Sequence, residues 1–153
     1  MAVAVLGFAA AAVAQPRAIG IRGGYGVELS YQHTLGSNFV EADLGLTVNA
    51  LNIGATYNWT LAQPQWTDRG EWGVYAGPGA VVGLDIFGDT KSFSVAAAGQ
   101  VGLEYSFDFP LLLAVDMRPC IGLHVNTGKG ARVGFYDNGL LGLVPNLSVR
   151  YRF

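Results

Sequence analysis

From Ile19 onward the chain alternates, residue by residue, between two chemistries, and no other feature narrows its possible folds as far. The odd positions run Ile19, Ile21, Gly23, Tyr25, Val27, Leu29, Tyr31, and the even ones Gly20, Arg22, Gly24, Gly26, Glu28, Ser30, Gln32. Successive side chains of a strand point to opposite faces, so this period predicts a ribbon with one apolar face and one polar or small face. The phase changes at Thr34-Leu35-Gly36-Ser37-Asn38, a turn signal. Val40, Ala42, Leu44, Leu46 and Val48 then alternate with Glu41, Asp43, Gly45 and Thr47. Beyond Asn49-Ala50, Leu51, Ile53, Ala55, Tyr57, Trp59 and Leu61 alternate with Asn52, Gly54, Thr56, Asn58 and Thr60.

Hairpin geometry tests these phases, because directly paired residues share a face. A two-residue turn at Asn49-Ala50 pairs Val48 with Leu51, Leu46 with Ile53 and Leu44 with Ala55, and sets Asp43 against Thr56 and Glu41 against Asn58. A turn at Asp108-Phe109-Pro110 pairs Phe107 with Leu111, Tyr105 with Leu113 and Leu103 with Val115, with Gln100 opposite Arg118 and Gly102 opposite Asp116. Both close without a conflict of polarity. Further strands are expected at Glu71–Asp85, Ser92–Phe107, Leu111–Val125 and Leu140–Phe153. The first alternating stretch is one long strand or two short ones turning at Gly23-Gly24-Tyr25. The second choice pairs Ile21 with Val27 and Arg22 with Gly26 and gives eight strands.

Composition says what such a sheet faces. Apolar residues make up 51% and charged ones 13% of the chain, about half the usual soluble share of roughly 25%. A net charge of −2 lacks the concentrated basic stripe that nucleic-acid binding needs. Past the N-terminus no apolar run reaches the roughly 20 residues of a membrane-spanning helix, and 22 scattered glycines count against helices. A chain that meets lipid in this way must do so as a closed sheet, since open edges stay unbonded in hydrocarbon. Ala2 to Ala14 form an apolar run ending in Ala12-Val13-Ala14, the A-x-A pattern of a signal-peptidase site. Residues 1–14 are therefore expected to be a signal peptide, truncated at its start because no Lys or Arg precedes the run. Residues 15–153 would be the barrel. Cys120, the single cysteine, excludes an internal disulfide.

The polar face carries Arg22, Glu28, Glu41, Asp43, Glu104, Asp116, Arg118, Arg150 and Arg152 among many glycines. Both signs beside glycine suit a narrow interior, where charges must pair and long Arg side chains need room. The two lysines, Lys91 and Lys129, both fall in expected loops. On the apolar face Tyr31, Trp59, Trp72, Tyr105, Phe107, Tyr151 and Phe153 lie at strand ends. An even strand number puts both termini on the periplasmic side, and all these rings at that same end, as an interfacial girdle. The expected fold is thus an all-β, up-and-down antiparallel transmembrane β-barrel of eight strands, integral to the outer membrane.

The C-terminal Leu147-Ser148-Val149-Arg150-Tyr151-Arg152-Phe153 alternates and ends on an aromatic. It resembles the β-signal by which outer-membrane barrels are recognised for insertion, carried here by Leu147, Val149, Tyr151 and Phe153. With Ala18-Ile19-Gly20-Ile21-Arg22, Glu28-Leu29-Ser30-Tyr31-Gln32-His33 and Gly99-Gln100-Val101-Gly102-Leu103-Glu104-Tyr105, the chain resembles the small outer membrane protein β-barrel family of OmpA/OmpX type. That resemblance implies an interior plugged by side chains, short periplasmic turns and longer external loops. Val125–Gly139 is the longest external loop expected. The implied partners are outer-membrane lipid and, through the last strand, the barrel-assembly machinery, with the protein a monomer.

Other motifs carry less. Gly77-Pro78-Gly79-Ala80-Val81-Val82-Gly83 mimics a dinucleotide-binding pattern, but Pro78 and the alternation beyond it deny the helix that this chemistry needs. Gly128-Lys129-Gly130 lacks the Ser/Thr of a phosphate loop. Two distant histidines, His33 and His124, fit no metal-ligand spacing, and neither metal nor cofactor is expected. His33 has no obvious partner, and Cys120 is expected inward and inert. The Phe107–Leu111 register also sets Ser94 opposite His124 near the external end, with Asp85 on the neighbouring strand. Ser, His and an acid are the parts of an acyl-transfer site. The main expectation is a non-enzymatic barrel with a structural or surface-interaction role. The alternatives are a lipid A-modifying enzyme, by acyl transfer or deacylation, and a narrow channel.

Overall fold

Each alternating stretch pairs antiparallel with the next, and the first pairs with the last. In a computed structural model the described residues are 17–24, 26–46, 50–85, 91–126, 130–135 (backbone only for 131–135) and 143–153. They form β1 (Arg17–Gly23), β2 (Val27–Leu35), β3 (Asn38–Leu46), β4 (Ala50–Ala62), β5 (Glu71–Asp85), β6 (Ser92–Ser106), β7 (Leu111–Met117), β8 (Cys120–Asn126), β9 (Gly130–Phe135) and β10 (Asn146–Arg152). β1 pairs with both β2 and β10, and β5 with both β4 and β6, which leaves the ring without a break. β7 and β8 share one register on β6, from Tyr105–Leu113 to Ser92–Asn126. They are one stave interrupted at Arg118-Pro119, where Pro119 has no N–H to give the ladder but its carbonyl accepts from Gly99 N at 2.9 Å. β9 lies on β8 and β10 on β7, so these two make the last stave. The ten segments thus build a closed eight-stranded, antiparallel, up-and-down barrel. The expected signal peptide, residues 1–14, lies outside the described residues.

The β6–β7 register is the expected one, with Tyr105 opposite Leu113, Leu103 opposite Val115 and Gly102 opposite Asp116. Two other registers differ by two residues. In the first hairpin, which does divide the stretch into two strands, Ile21 pairs with Leu29 rather than Val27, and Arg22 with Glu28 rather than Gly26. The turn is closed by Gly24 N donating to Gly26 O at 3.0 Å, and the pairing puts opposite charges side by side. In the second, Leu46 pairs with Leu51, Leu44 with Ile53, Glu41 with Thr56 and Asp43 with Gly54. Val48 and the turn at 47–49 lie outside the described residues. A slip of two preserves every face, so alternation alone cannot fix it; the fit of inward side chains does. Gly54, opposite Asp43, leaves room for Arg118, whose Nη1 would stand 3.4 Å from an added Cβ.

Two boundaries also need correcting. Val125–Gly139, expected as a loop, contains β9, a six-residue strand that begins at Gly130, a glycine with φ 79°. The strand expected over Leu140–Phe153 is described only from Asn146, just after Pro145, which cannot donate to a ladder. Residues 140–142 lie outside the description.

Inward glycines set the width of the lumen. A Cβ on Gly102 would lie 2.5 Å from the Tyr75 ring and 2.7 Å from Asp116 Cβ, whereas one on Gly99, on the outward phase of the same strand, would meet nothing within 4 Å. Gly102→Ala should therefore destabilise the folded barrel by about 1–3 kcal/mol through overpacking, and Gly99→Ala should stay within about 0.5 kcal/mol of the parent. Denaturant unfolding of both variants in detergent micelles, followed by tryptophan fluorescence, checks the difference.

Candidate functional site: the charged barrel interior

The burial of this protein is inside out. Glu41 and Arg150 are 0% and 1% exposed, while Ile21, Leu46 and Ile53 are 60%, 56% and 54% exposed. Every strand whose side chains are described contributes to this in the same way, its polar phase turned to the lumen and its apolar phase to the outside.

Within the lumen the charges of one stave reach those of others. Arg22 on β1 holds Asp116 on β7 through two nitrogens, Nε donating to Oδ2 at 3.2 Å and Nη2 to Oδ1, and also pairs with Glu28 on β2. Arg118, at the β7–β8 break, crosses to β3, where Nη2 donates to Glu41 Oε1 at 2.9 Å and to Asp43, and its Nη1 lies 3.6 Å from Glu28. Arg150 on β10 donates from Nε to Ser30 at 3.0 Å and sets Nη2 3.0 Å from Glu41 Oε2, close enough to pair though not aligned as a hydrogen bond. Arg22 Nε stands 3.9 Å from Glu41. Glu41 thus faces three guanidiniums at once.

Two of the nine expected interior charges sit apart from this cluster. Glu104 accepts from Gln32 Nε2 at 3.3 Å, and Arg152 Nη2 donates to the carbonyls of Phe107 and Phe109 at 2.6 and 3.3 Å, fastening the β6–β7 turn. Neutral residues fill the remaining positions. Gln100 donates to Glu41 at 3.3 Å and accepts from Thr56 and Asn58, so β4 and β6 join the same net. A reading confined to formal charges misses Gln100, Thr56, Asn58 and Ser30, although their place on the polar phase marks them as inward.

Toward the terminus end the network gives way to a small apolar layer. Phe39 and Tyr75 meet edge to face at 5.0 Å, with Leu112 and Ala18 also buried. Below it opens a recess of about 220 Å³ whose lining includes Phe39, Leu112, Gln32, Glu104 and Arg152. Stacked in this way, the apolar layer and the ion pairs above it occlude the lumen.

Most of the outward aromatics gather at the same end, while Phe93 stands exposed at the other end of β6. Trp66, Trp72, Tyr105, Phe107 and Phe109 form a chain of rings with successive centroids 4.6–5.3 Å apart, and Tyr57 meets Trp59 at 5.6 Å. Of these, Trp66, Phe109 and Tyr57 were not among the aromatics expected in the girdle. Tyr31 stacks on His33 at 6.4 Å and their Oη and Nδ1 are 3.4 Å apart, so His33 does have a partner. Tyr151 and Phe153 stand exposed beside Leu147 and Val149 on the last strand and at its end. Cys120 is buried, with Sγ donating to Arg118 O at 3.4 Å.

At the opposite end Ser94 and His124 are paired across β6 and β8, with Oγ and Nδ1 3.3 Å apart. Asp85 does not complete the series: it lies opposite Ser92 and accepts from its Oγ at 3.4 Å. The three are neighbours, but the acid is spent on a second serine rather than on the imidazole. Among the described residues no group of three or more His, Cys, Asp or Glu is arranged to hold a metal.

Removing one buried charge from such a cluster leaves its partners uncompensated, which typically costs about 3–5 kcal/mol. Arg118→Ala, which strips Glu41 and Asp43 of a shared guanidinium, should lose stability on that scale in a denaturant titration in micelles. An unchanged midpoint would show that the network does not hold the barrel.

No family model, curated protein or solved structure matches this chain, so its site is read from its own chemistry alone.

Proposed function

We propose that the protein is an integral outer-membrane β-barrel of OmpA/OmpX type, with both termini on the periplasmic side and a structural or surface-interaction role in the envelope. The carrying observation is the inverted polarity. An apolar girdle running round all the staves is far larger than the few hundred Å² a water-soluble monomer leaves exposed, and acyl chains are the natural solvent for it. Closure supports the same reading, since only a sheet without edges satisfies its backbone in hydrocarbon. The aromatic chain at the terminus end is suited to a membrane interface, where rings with a polar handle are enriched. Leu147, Val149, Tyr151 and Phe153 present an apolar edge for the barrel-assembly machinery. Ala2–Ala14 would serve as the export signal.

The occluded lumen favours a plugged barrel over a channel. About eight strands enclose only enough space for side chains, and here that space is taken by Arg22, Arg118, Arg150 and their acids. Extracted in mild detergent, the protein should migrate on a gel differently before and after boiling, as a folded barrel does. Planar bilayers containing it should record no stable conductance. Identical migration in both conditions would remove the membrane reading, and steady single-channel currents would replace the plug with a pore.

A further inference from the structure

The staves are unequal in height. β2 has nine residues between the turns at Gly24–Gly26 and Gly36-Ser37, and β1 has seven, whereas β5 and β6 have fifteen each. All share one lower end, marked by the Arg17–Phe153 hydrogen bonds, the Gly36-Ser37 turn and the Phe107–Leu111 turn. With a rise of about 3.3 Å per residue and a tilt of about 40°, β2 is about 23 Å tall and β5 and β6 about 38 Å. Their upper ends therefore differ by roughly 15 Å.

The apolar surface follows this slope. On β6 it runs from Tyr105 up to Phe93, about 30 Å along the barrel axis, which covers the apolar band of about 25 Å that outer-membrane barrels carry. On β2 it runs from Leu35 to Val27, interrupted by His33, about 20 Å and short of that band. The residues along the top of this low wall, Leu147, Val27 and Leu46, are still apolar and exposed. Gly23, the ladder partner of Leu147 and Val27, ends β1, and immediately above it come Gly24 and Gly26, joined by the Gly24 N to Gly26 O hydrogen bond, with the polar Asn146 amide against Gly24. Neither glycine has a side chain to cover its backbone. Such groups cannot rest in hydrocarbon without a partner, and a bilayer accommodates a short apolar stretch by thinning beside it.

We propose that the external leaflet is thinned next to the β1–β2 hairpin, so that lipid headgroups and water descend to Gly24 and Gly26. The partner of this wall is the headgroup layer, which can hydrogen-bond the peptide groups of Gly24 and Gly26. On the β5–β6 side, full-thickness lipid meets a full-height wall. The inference rests on the reading of the protein as a membrane barrel.

Nitroxide labels in a Cys120→Ser background, with the protein reconstituted into dioleoylphosphatidylcholine vesicles, test it. A label at Gly23→Cys, where a Cβ has open space, should collide several-fold more with an aqueous nickel chelate, relative to oxygen, than a label at Val101→Cys on β6. If Gly23→Cys blocks folding, Leu147→Cys on the paired residue of β10 gives the same reading. A Gly23 or Leu147 label as oxygen-favoured as Val101 would overturn the thinning while leaving the barrel in the membrane. A Val101 label that is itself nickel-favoured would overturn the membrane reading and the thinning with it.

Discussion

Glu41 sits at the centre of a closed cylinder with Arg22, Arg118 and Arg150 around it, and the rest of the interior follows from the need to satisfy that cluster. A carboxylate taken out of water is tolerable only with opposite charges and donors in place. The guanidiniums come from β1, the β7–β8 break and β10, and the carboxylates from β2, β3 and β7. Apart from Arg22–Glu28, which reinforces the β1–β2 ladder, each ion pair is therefore also a tie between staves that the backbone ladder does not join, as Arg118 to Asp43 does across the ring. Long side chains meeting near the axis need empty space beside the wall, which Gly54 gives to Arg118, Gly102 to Tyr75 and Gly45 to Glu28. Charge at the centre and glycine at the wall are two halves of one arrangement.

The faces of the strands were legible in the sequence, and the registers only in part. Period-two alternation by itself puts Arg22, Glu41, Asp116, Arg118 and Arg150 on the inner face, because a strand offers just two sides. It could not choose between Leu46 opposite Ile53 and Leu46 opposite Leu51, which leave every side chain on the same face. The β6–β7 hairpin escaped the ambiguity because Pro110 and Asp108 mark a short turn. β9 was hidden by its length, six residues that begin at Gly130 in a Gly-Lys-Gly sequence that reads as the start of a loop. The composition of the network was legible as charge, while its neutral members, Gln100 above all, take their importance from joining β6 to β3 and β4 inside the lumen, a contact no strand pattern reveals.

The two ends of the barrel are built for different surroundings. At the terminus end the rings of Trp72, Tyr105 and Phe107 pack outward while Phe39, Tyr75 and Leu112 close the lumen inward, so the wall is aromatic or apolar on both sides. At the other end the inward residues are small and polar, Ser92, Ser94 and His124, behind an outer face that remains apolar. The first pattern seals. The second leaves a polar lining at the mouth, of the kind that water can enter.

That mouth also bears on whether the barrel does chemistry. A serine becomes a nucleophile when an imidazole takes its proton and an acid holds that imidazole in the right tautomer. Ser94 and His124 supply the first contact, but it is made through Nδ1, and Asp85 is engaged by Ser92 on the opposite side of the strand pair. Asp85 bonds Ser92, and its other oxygen is buried without a partner among the described residues. The described hydrogen bonds Ser94–His124 and Ser92–Asp85 each join neighbouring strands. In that arrangement the serines and the histidine do for the upper lumen what the arginines do for the middle: they fill a narrow polar space with side chains that bond to one another.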